Sequence, residues 1–456
     1  MYIQKAEIKN IRSIIDFEIE FKNPAGWHVL IGDNGAGKST IIRSMALSLI
    51  ENQAQGLRED WNDWLNKNAD NGKITVNLFR DETYDDIEIG DYNKSAKDIK
   101  NRKDKVDIEI ILTKERERNF METPSGLIEL KNSEPSQDIY FYGFQSAPDK
   151  EKEKVRWTII KTAGFFSAGY GPFRRFEGGS PEWNDLFKNP SFANLAAHLS
   201  VFGEDVALTE AINWLKDLNY KTLEKDKGSE YTLENLKKLI NSEDFLPHGA
   251  ELESVSSDGV YFKDGNDTVI SVNQMSDGYR SILSMTFELI RQLVRVYGSE
   301  SVFKNIEKGE MFIDLPGVVL VDEIDAHLHP TWQTRIGQWF LKYFPKLQFI
   351  VTTHSPLVCR AAETGSIWRL AAPGSDEKSG EITGLDRERL IYGNVLDAYG
   401  TEVFGANVSI SEESVKKQET LAKLSKKKML DDISPEEETK LQDLKKVFTT
   451  DAPIEL

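Results

Sequence analysis

The N-terminal part of the chain alternates apolar and polar residues in the manner of β-strands. Apolar side chains recur over Ile3–Ile8 and at every second position over Ile15–Phe21. This spacing predicts two half-buried strands joined by a turn at Asn10–Ser13. A third strand is predicted at Trp27–Ile31, where it runs into a glycine-rich loop. Helical spacing follows the loop, with apolar residues at Ile41, Ile42, Met45 and Leu49.

The character of the sequence changes after about residue 50. Apolar, strand-like runs occur at Ile74–Leu78, Val106–Ile110 and Ile139–Phe144. We interpret the polar stretches at Asp81–Lys105 and Pro148–Lys154 as loops between them. The pattern therefore predicts a β-rich, irregular insertion.

The second half of the chain alternates helical and strand patterns. Helical spacing covers Val206–Leu218 and Leu233–Ile240, and a hairpin around the turn "KDGND" is predicted within Val260–Val272. A long helix with one apolar stripe follows the segment "MSDGYRS". Unbroken apolar runs at Val318–Val321 and Phe349–Thr352 are typical of parallel strands covered on both faces. A charged, helical tail begins after about residue 410.

Composition narrows the classes of protein. A chain of 456 residues with 39% hydrophobic residues can bury a substantial core. The formal net charge of -18 argues against a protein that wraps nucleic acid by electrostatic attraction. A single cysteine, Cys359, excludes an internal disulfide framework and fits a reducing compartment. No apolar run reaches the ~18 residues needed to cross a bilayer, so we expect a cytoplasmic protein with no membrane partner.

The segment "GDNGAGKST", Gly32–Thr40, is the strongest chemical signal in the sequence. It follows a predicted strand and opens a predicted helix, which is the context of a phosphate-binding loop. Its backbone N–H groups and the dipole of the helix would hold phosphate oxygens. Lys38 would reach the β- and γ-phosphates, and the Ser39 hydroxyl would ligate Mg²⁺. The expected ATP-binding residues of this loop are Gly32, Asn34, Gly35, Ala36, Gly37, Lys38, Ser39 and Thr40.

Two acidic residues end the apolar run "VVLV". Asp322 and Glu323 would lie at the carboxyl end of a strand, where ligands bind in an open α/β sheet. We expect Asp322 to hold Mg²⁺, directly or through water. Glu323 would polarise the attacking water as a general base.

Two histidines beyond the acidic pair offer an alternative, a transition-metal site. A zinc site needs His327 and His329 on one face with at least one more ligand. A spacing of two residues shares a face only on a strand. Pro330 instead indicates the start of a helix, so the sequence favours a structured turn at residues 324–329.

A third histidine, His354, ends the strand-like segment "VTTHSP". It would lie beside the acidic pair if the two strands are neighbours. There it could hydrogen-bond the γ-phosphate or the attacking water, and we count it as a candidate catalytic residue. A histidine at the end of a strand is also compatible with a purely structural role.

The order of these motifs resembles the ABC-type ATPase head of the SMC and RecF group. The resemblance implies an α/β fold with a mixed, largely parallel core sheet, an antiparallel β subdomain and a helical subdomain. It also implies that the protein binds ATP and Mg²⁺ and hydrolyses the nucleotide. By the same resemblance, Ser276, Asp277 and Gly278 of "MSDGYRS" would contact a nucleotide held by a second copy of the chain. Asn10 and Arg12, in the turn "KNIRS", would lie near the nucleotide.

The resemblance is close over residues 1–50 and 270–370 and weak between them. The expected divisions are an N-terminal lobe (1–50), a β-rich insertion (51–200), a helical subdomain with the hairpin (201–272), a lobe with the signature, acidic and histidine motifs (273–375), and a C-terminal helical extension (376–456).

One position departs from the family pattern, the glutamine linked to magnesium. Gln145 follows a predicted strand and is one candidate for this metal ligand. The end of "FFSAGYGPFRRF" is another, and it offers Arg174 and Arg175 in place of a glutamine. The assignment stays open between them.

"DEIDAHLHP" together with "SDGYRS" resembles the compact ATPases of bacterial antiphage systems, among them the Septu ATPases. That resemblance implies a small HNH-type nuclease as partner, with DNA or RNA reached through the complex. The segment "ERLIYGNVLDAYGTEVFG" is a candidate for docking the partner or for ordinary packing. Two other functions stay open: a DNA-repair ATPase of RecF/SMC type that binds DNA directly, and a nucleotide-binding scaffold with little turnover.

Overall fold

A computed structural model describes residues 1–50, 53, 57, 64–91, 105–113, 121–123, 126–130, 139–144, 157–174, 192–203, 209–246, 249–375, 377–394, 412–430 and 432–448. The chain divides into two compact units, Met1–Tyr392 and Gly393–Leu456. The residues expected to carry the chemistry belong to the first unit.

The strands and helices of the described residues are numbered here in chain order. The strands are β1 Tyr2–Ile11, β2 Ile14–Glu20, β3 Gly26–Ile31, β4 Asn71–Phe79, β5 Asp86–Asp91, β6 Lys105–Thr113, β7 Met121–Thr123, β8 Gly126–Leu130, β9 Ile139–Phe144, β10 Trp157–Ala163, β11 Ser167–Tyr170, β12 Glu251–Val255, β13 Val260–Lys263, β14 Val269–Ser271, β15 Gly317–Val321, β16 Leu347–Thr352, β17 Ser366–Arg369 and β18 Gly380–Glu381. The α-helices are α1 Lys38–Ile50, α2 Ala193–Phe202, α3 Thr209–Leu223, α4 Lys227–Ile240, α5 Asp277–Tyr297, α6 Ser299–Glu307, α7 Pro330–Tyr343, α8 Gly384–Tyr392, α9 Glu412–Met429 and α10 Pro435–Phe448.

A largely parallel sheet forms the centre of the first unit. Its strand order is β11–β15–β16–β3–β17–β18, and only the last pairing is antiparallel. Every residue of β3, β15 and β16 is buried, because helices or the second sheet cover both faces. The prediction of an α/β fold with a mixed, largely parallel core sheet is confirmed.

An antiparallel sheet flanks the parallel one, in the order β2–β1–β4–β6–β7–β8–β9. Burial alternates along β2 and β4, as expected for strands with one face in the core. The predicted pair of N-terminal strands is confirmed, since β1 pairs antiparallel with β2 and Ile8 lies opposite Phe17.

The prediction of a loop over Asp81–Lys105 is wrong in part. The strand β5, Asp86–Asp91, lies inside it and pairs antiparallel with β10, with Ile89 opposite Ile159. The pairing joins segments about seventy residues apart. The two apolar residues of β5 are flanked by acidic residues and a glycine, so the local pattern of the sequence does not indicate a strand there.

The core of the first unit lies between the two sheets. Helix α1 contacts both β4 and β16, and its apolar residues share one buried cluster with β1, β3 and β15. A side chain also joins the two sheets directly: the Gln348 amide on β16 bonds to both the N–H and the carbonyl of Ile3 on β1. The phosphate loop therefore begins a helix that is clamped between two sheets.

Two helical regions complete the described structure. Helices α3, α4, α5 and α6 pack beside the three-stranded sheet β12–β13–β14, which includes the predicted hairpin. In the second unit, α9 and α10 contact each other and are joined by Lys427–Glu437 and Lys428–Glu438 ion pairs. Among the described helices, none is both long and apolar enough to cross a membrane.

Candidate active site

The phosphate loop joins β3 to α1, as predicted. Gly35 and Gly37 have φ of 81° and 94°, in the left-handed region that favours glycine. At Gly37 space is limiting as well, because a Cβ there would lie 2.9 Å from Ile14 Cγ1. The loop thus packs against the start of β2, and its glycines leave the backbone free of side chains that would keep a ligand away.

Lys38 lies at the first position of α1 and is 6% exposed. Its ammonium donates hydrogen bonds to the carbonyls of Gly32 (2.8 Å) and Asp33 (3.0 Å). Burial lowers the pKa of Lys38, and the carboxylates of Asp322 and Glu323 partly offset this shift. The acidic pair is therefore close enough to act electrostatically on the lysine of the loop.

The β1–β2 turn lies against the phosphate loop through Ser13 and Ile14. Asn10 and Arg12 both adopt left-handed backbone, with φ of 54° and 50°. The Arg12 guanidinium carbon lies 4.9 Å from the Trp64 ring centroid, and the Arg12 N–H donates to the Trp64 carbonyl at 2.7 Å. The Asn10 amide donates to the Asn71 carbonyl (3.0 Å). Contact of Asn10 and Arg12 with nucleotide stays a prediction.

Asp322 and Glu323 follow β15 directly, at the edge of the sheet where the phosphate loop also lies. Thr352 joins them: its hydroxyl donates to Asp322 Oδ1 (2.6 Å) and accepts from the Glu323 N–H (2.7 Å). Glu323 has a φ of 48°, which is strained for a residue with a side chain. Thr352 is a site residue that the motifs did not predict, because its two bonds exist only once β15 and β16 are aligned.

His354 comes two residues after β16, the strand that pairs in parallel with β15. The strand adjacency on which its expected role depends is therefore present. The side chain is exposed. It is thus accessible to a ligand at the carboxyl edge of the sheet.

The histidines beyond the acidic pair form part of a turn, as predicted. His329 caps α7, and its Nδ1 accepts from the Thr331 N–H at 3.3 Å. His327 is exposed, with a φ of 65°. Within the described residues, no group of three or more histidine, cysteine, aspartate or glutamate side chains is arranged to hold a metal ion. This arrangement gives the transition-metal alternative no support.

The signature segment Ser276–Gly278 begins α5. Ser276 is the N-cap residue of the helix, and Ser276 and Asp277 are both exposed. Asp277 pairs with Arg280 one turn further on. A Cβ at Gly278 would lie 3.0 Å from the His327 carbonyl, so this segment adjoins the turn after the acidic pair. The two loops present a joint surface to the outside.

The two candidates for the magnesium-linked position follow strands of different sheets. β9, before Gln145, belongs to the antiparallel sheet, whereas β11 pairs in parallel with β15. Arg174, four residues after β11, is buried beneath the acidic pair. Gln145 and Arg175 lie outside the described residues, so the expected role of Gln145 as a metal ligand stays a prediction.

The donor set at this edge of the sheet fits a magnesium nucleotide. The loop offers glycine backbone and an ammonium for phosphate, while Ser39 and Asp322 offer the oxygen ligands that Mg²⁺ prefers. Asp325 adds a buried carboxylate oxygen, Oδ1, with no hydrogen-bond partner in the described part of the chain. This carboxylate oxygen adds to the oxygen donors available to a cation at this edge of the sheet.

Comparison with known proteins identifies the family. The family described as "AAA domain, putative AbiEii toxin, Type IV TA system" matches residues 28–360, from the strand before the phosphate loop to the segment after His354. The chain belongs to this family. The match includes the phosphate loop, the signature segment, the acidic pair and His354, all within one family domain.

Two relatives extend the comparison. The chain is 26% identical to Septu protein PtuA of Bacillus mycoides over 413 residues, covering 88% of this chain and 45% of that protein. It is 28% identical to the Retron Vc95 probable ATPase of Vibrio cholerae over 362 residues, covering 72% of this chain and 66% of that protein. The chain thus spans less than half the length of the PtuA relative. The resemblance to Septu ATPases is confirmed.

A solved structure is distantly similar as well. An SMC head bound to the C-winged helix domain of ScpA matches with a TM-score of 0.44 and 16% sequence identity, covering 85% of this chain and all of that one.

Proposed function

We propose that the chain is an ATPase that binds Mg²⁺–ATP at the carboxyl edge of its parallel sheet and hydrolyses it there. The single observation that carries this proposal is the convergence at that edge of Lys38, the acidic pair and Thr352. A phosphate loop alone would support binding. The addition of a positioned carboxylate supports hydrolysis.

Each side chain has a distinct task in this proposal. Lys38 binds the β- and γ-phosphates, and Glu323 accepts a proton from the attacking water as general base. His354, exposed at the end of the neighbouring strand, orients that water or the γ-phosphate. Ser39 and Asp322 would hold Mg²⁺, which neutralises phosphate charge when bound.

We further propose that two copies of the chain assemble head to head around the nucleotide. The exposed Ser276 and Asp277 at the start of α5 support this, because their helix N-terminus can face an anion held by another copy. The neighbouring turn at His327 widens the same surface.

We also propose a cytoplasmic role in antiphage defence, with a separate HNH-type nuclease as the effector; the similarity to a Septu protein and to a retron probable ATPase supports this proposal. In this proposal the nuclease cuts DNA or RNA, and the ATPase heads control it through their nucleotide-dependent assembly. Direct, salt-sensitive DNA binding by the purified chain would instead favour a DNA-repair ATPase. Nucleotide binding without turnover would favour a scaffold.

The test of the proposed activity is ATP hydrolysis by purified wild type and by Lys38→Ala. We expect the variant to lose hydrolysis by at least about a hundredfold, because the loop then lacks the charge that binds the phosphates. Lys22→Ala is the matched control, since this lysine is exposed and outside the site. Equal rates in wild type and Lys38→Ala would contradict the proposal.

The proposed nuclease partner is tested by co-purification with the product of a neighbouring HNH-nuclease gene. We expect deletion of the residues after about 390 to abolish co-purification while ATP binding is retained. Unchanged recovery of the nuclease with the shortened chain would show that docking lies elsewhere.

A further inference from the structure

Arg174 is a buried guanidinium that is fully hydrogen-bonded inside the fold. The residue is 4% exposed. An arginine has five N–H donors, and each of them here has an oxygen acceptor. The acceptors are Ser281 Oγ (3.1 Å) and the carbonyls of Gly171 (2.8 Å), Asp322 (3.0 Å), Glu323 (3.0 Å) and Ile324 (3.3 Å). One side chain thus joins the end of β11, the acidic pair and helix α5.

The chain reaches this position because Gly171 allows a close turn after β11. A Cβ at Gly171 would lie 2.1 Å from the Ser200 carbonyl, and the Gly171 N–H donates to Ser200 Oγ (2.9 Å). On the other side, the Asp322 N–H donates to the Tyr170 carbonyl (2.8 Å). These contacts fix the end of β11 against β15 and direct Arg174 beneath the acidic pair.

A buried cation is costly, so its hydrogen bonds must compensate for lost hydration. Burial lowers the pKa of Arg174 to about 10, while Asp325, Asp322 and Glu323 act in the opposite direction. The guanidinium is therefore charged at neutral pH. Its position depends on main-chain carbonyls rather than on a paired carboxylate.

Those carbonyls belong to the segment in which Glu323 is strained. A left-handed conformation is unfavourable for a non-glycine residue and persists only where its surroundings impose it. Here the carbonyls of three consecutive residues bond to one guanidinium, and Thr352 holds the Glu323 N–H from the other side. Arg174 and Thr352 together impose the backbone conformation of Glu323.

We propose that Arg174 is a positioning residue that makes the orientation of Glu323 depend on the placement of α5, through Ser281. The inference rests on the proposed hydrolysis of ATP. Ser281 lies in the second turn of α5, and the signature segment begins the same helix. A shift of that segment is thereby transmitted to the general base through a single buried side chain.

The test uses the full chain and compares Ser281→Ala with Ser284→Ala. Both serines are fully buried on α5, but within the described residues the Ser284 hydroxyl donates to the Ser281 carbonyl of its own helix and not across to another element, so it is the matched control. We expect Ser281→Ala to lower kcat about tenfold, because it removes one bond to a charged donor. The KM for ATP should match that of Ser284→Ala, whereas the melting temperature should fall further in Ser281→Ala, because a buried charged donor then lacks its acceptor.

Arg174→Lys and Arg174→Met extend the test. Lysine keeps the charge but has three donors, so its kcat should lie between wild type and Arg174→Met, with Kd for ATP unchanged. Equal kcat in Ser281→Ala and Ser284→Ala would overturn the inference, as would a loss of ATP binding that parallels the loss of turnover. Lys38→Ala in the same assay separates the two proposals, because a wild type no faster than this variant overturns hydrolysis itself.

Discussion

The parallel and the antiparallel sheet share one apolar core but differ in where their polar side chains lie. In β3, β15 and β16 no residue is exposed and none is acidic or a lysine or arginine, so these charged side chains collect where the strands end. In β2 and β4 polar residues alternate with apolar ones and face outward along the whole strand. The antiparallel sheet approaches the phosphate loop through the turn at Ser13 and Ile14.

This difference explains why the proposed chemistry collects on one edge. A strand buried on both faces cannot hold a carboxylate along its length, because an unpaired buried charge is too costly. Its end is the first place where a charge can be paired and also reach a ligand. The antiparallel sheet has no such restriction, so its charges form surface pairs of little energetic value.

Of the substitutions that compare the two sheets, Glu323→Gln should have the largest effect on ATP hydrolysis. Loss of the general base should lower kcat for ATP by about a thousandfold while nucleotide binding is retained. Sedimentation in the presence of ATP should then show a stable dimer. Glu18→Gln, on the antiparallel sheet, is the control and should hydrolyse ATP at the wild-type rate; retained hydrolysis in Glu323→Gln would refute the assigned role.

Acid should destabilise the folded chain through two buried histidines that lie in or against the parallel sheet. Burial lowers the pKa of His28, on β3, and of His198, which packs on β11, to about 4. Below pH ~6.5 these histidines are protonated in the unfolded chain but stay neutral in the folded chain. The free energy of unfolding therefore falls as the pH drops from ~6.5 to ~4. Each histidine should contribute about 3 kcal/mol to that loss, or about a hundredfold in the folding equilibrium.

The measurement is the melting temperature as a function of pH. His198→Leu should reduce the fall in melting temperature at acid pH. The substitution removes the Nδ1 contact with Asn194, whereas His198 Nε2 has no hydrogen-bond partner in the described part of the chain. Parallel curves for wild type and His198→Leu would contradict this account.

Thr352→Val should have a moderate effect on turnover. The substitution keeps the shape of the side chain but removes the hydroxyl that joins Asp322 to the Glu323 N–H. A hydrogen bond to a charged group is lost, so kcat should fall about tenfold with the fold intact. Thr286→Val, which removes a buried hydroxyl bonded within α5, should turn over ATP normally.

Glu18→Gln should give the smallest effect. Lys5 pairs with Glu18 at 3.0 Å and with Glu7 at 2.7 Å on the outer face of the antiparallel sheet. Exposed pairs contribute about 0–1 kcal/mol, and Lys5 keeps its second partner. Chemical denaturation should show a change below about 0.5 kcal/mol. A larger loss would mean that this face is not an ordinary solvated surface.

The sequence predicted the elements whose signal is local. The strand before the phosphate loop, the helix starting at Pro330 and the buried run before Asp322 each have their own pattern, and the structure confirms all three. The pairing of β5 with β10 has no such signal, because it depends on a partner far along the chain. The motif residues expected at the site, in the phosphate loop and the acidic pair, also have a local signal in the sequence.

The supporting roles of Thr352 and Arg174 could not be predicted, although Arg174 was a candidate for the position linked to magnesium. Thr352 and Arg174 act through bonds to Asp322 and Glu323 that exist only after three strands are aligned. An arginine after "GYGPF" shows no periodicity that distinguishes a buried clamp from a surface charge. The left-handed φ of Glu323 likewise arises from its surroundings, since glutamate has no preference for that region.

The stacking of Arg12 on Trp64 has a practical consequence. The indole is fully buried, and a guanidinium 4.9 Å from its centroid perturbs the electronic state of the ring. Any displacement of that cation should alter the emission of one tryptophan among the nine in the chain. We therefore expect Trp64 to act as an intrinsic optical reporter beside the first turn, which stopped-flow fluorescence would test without a label.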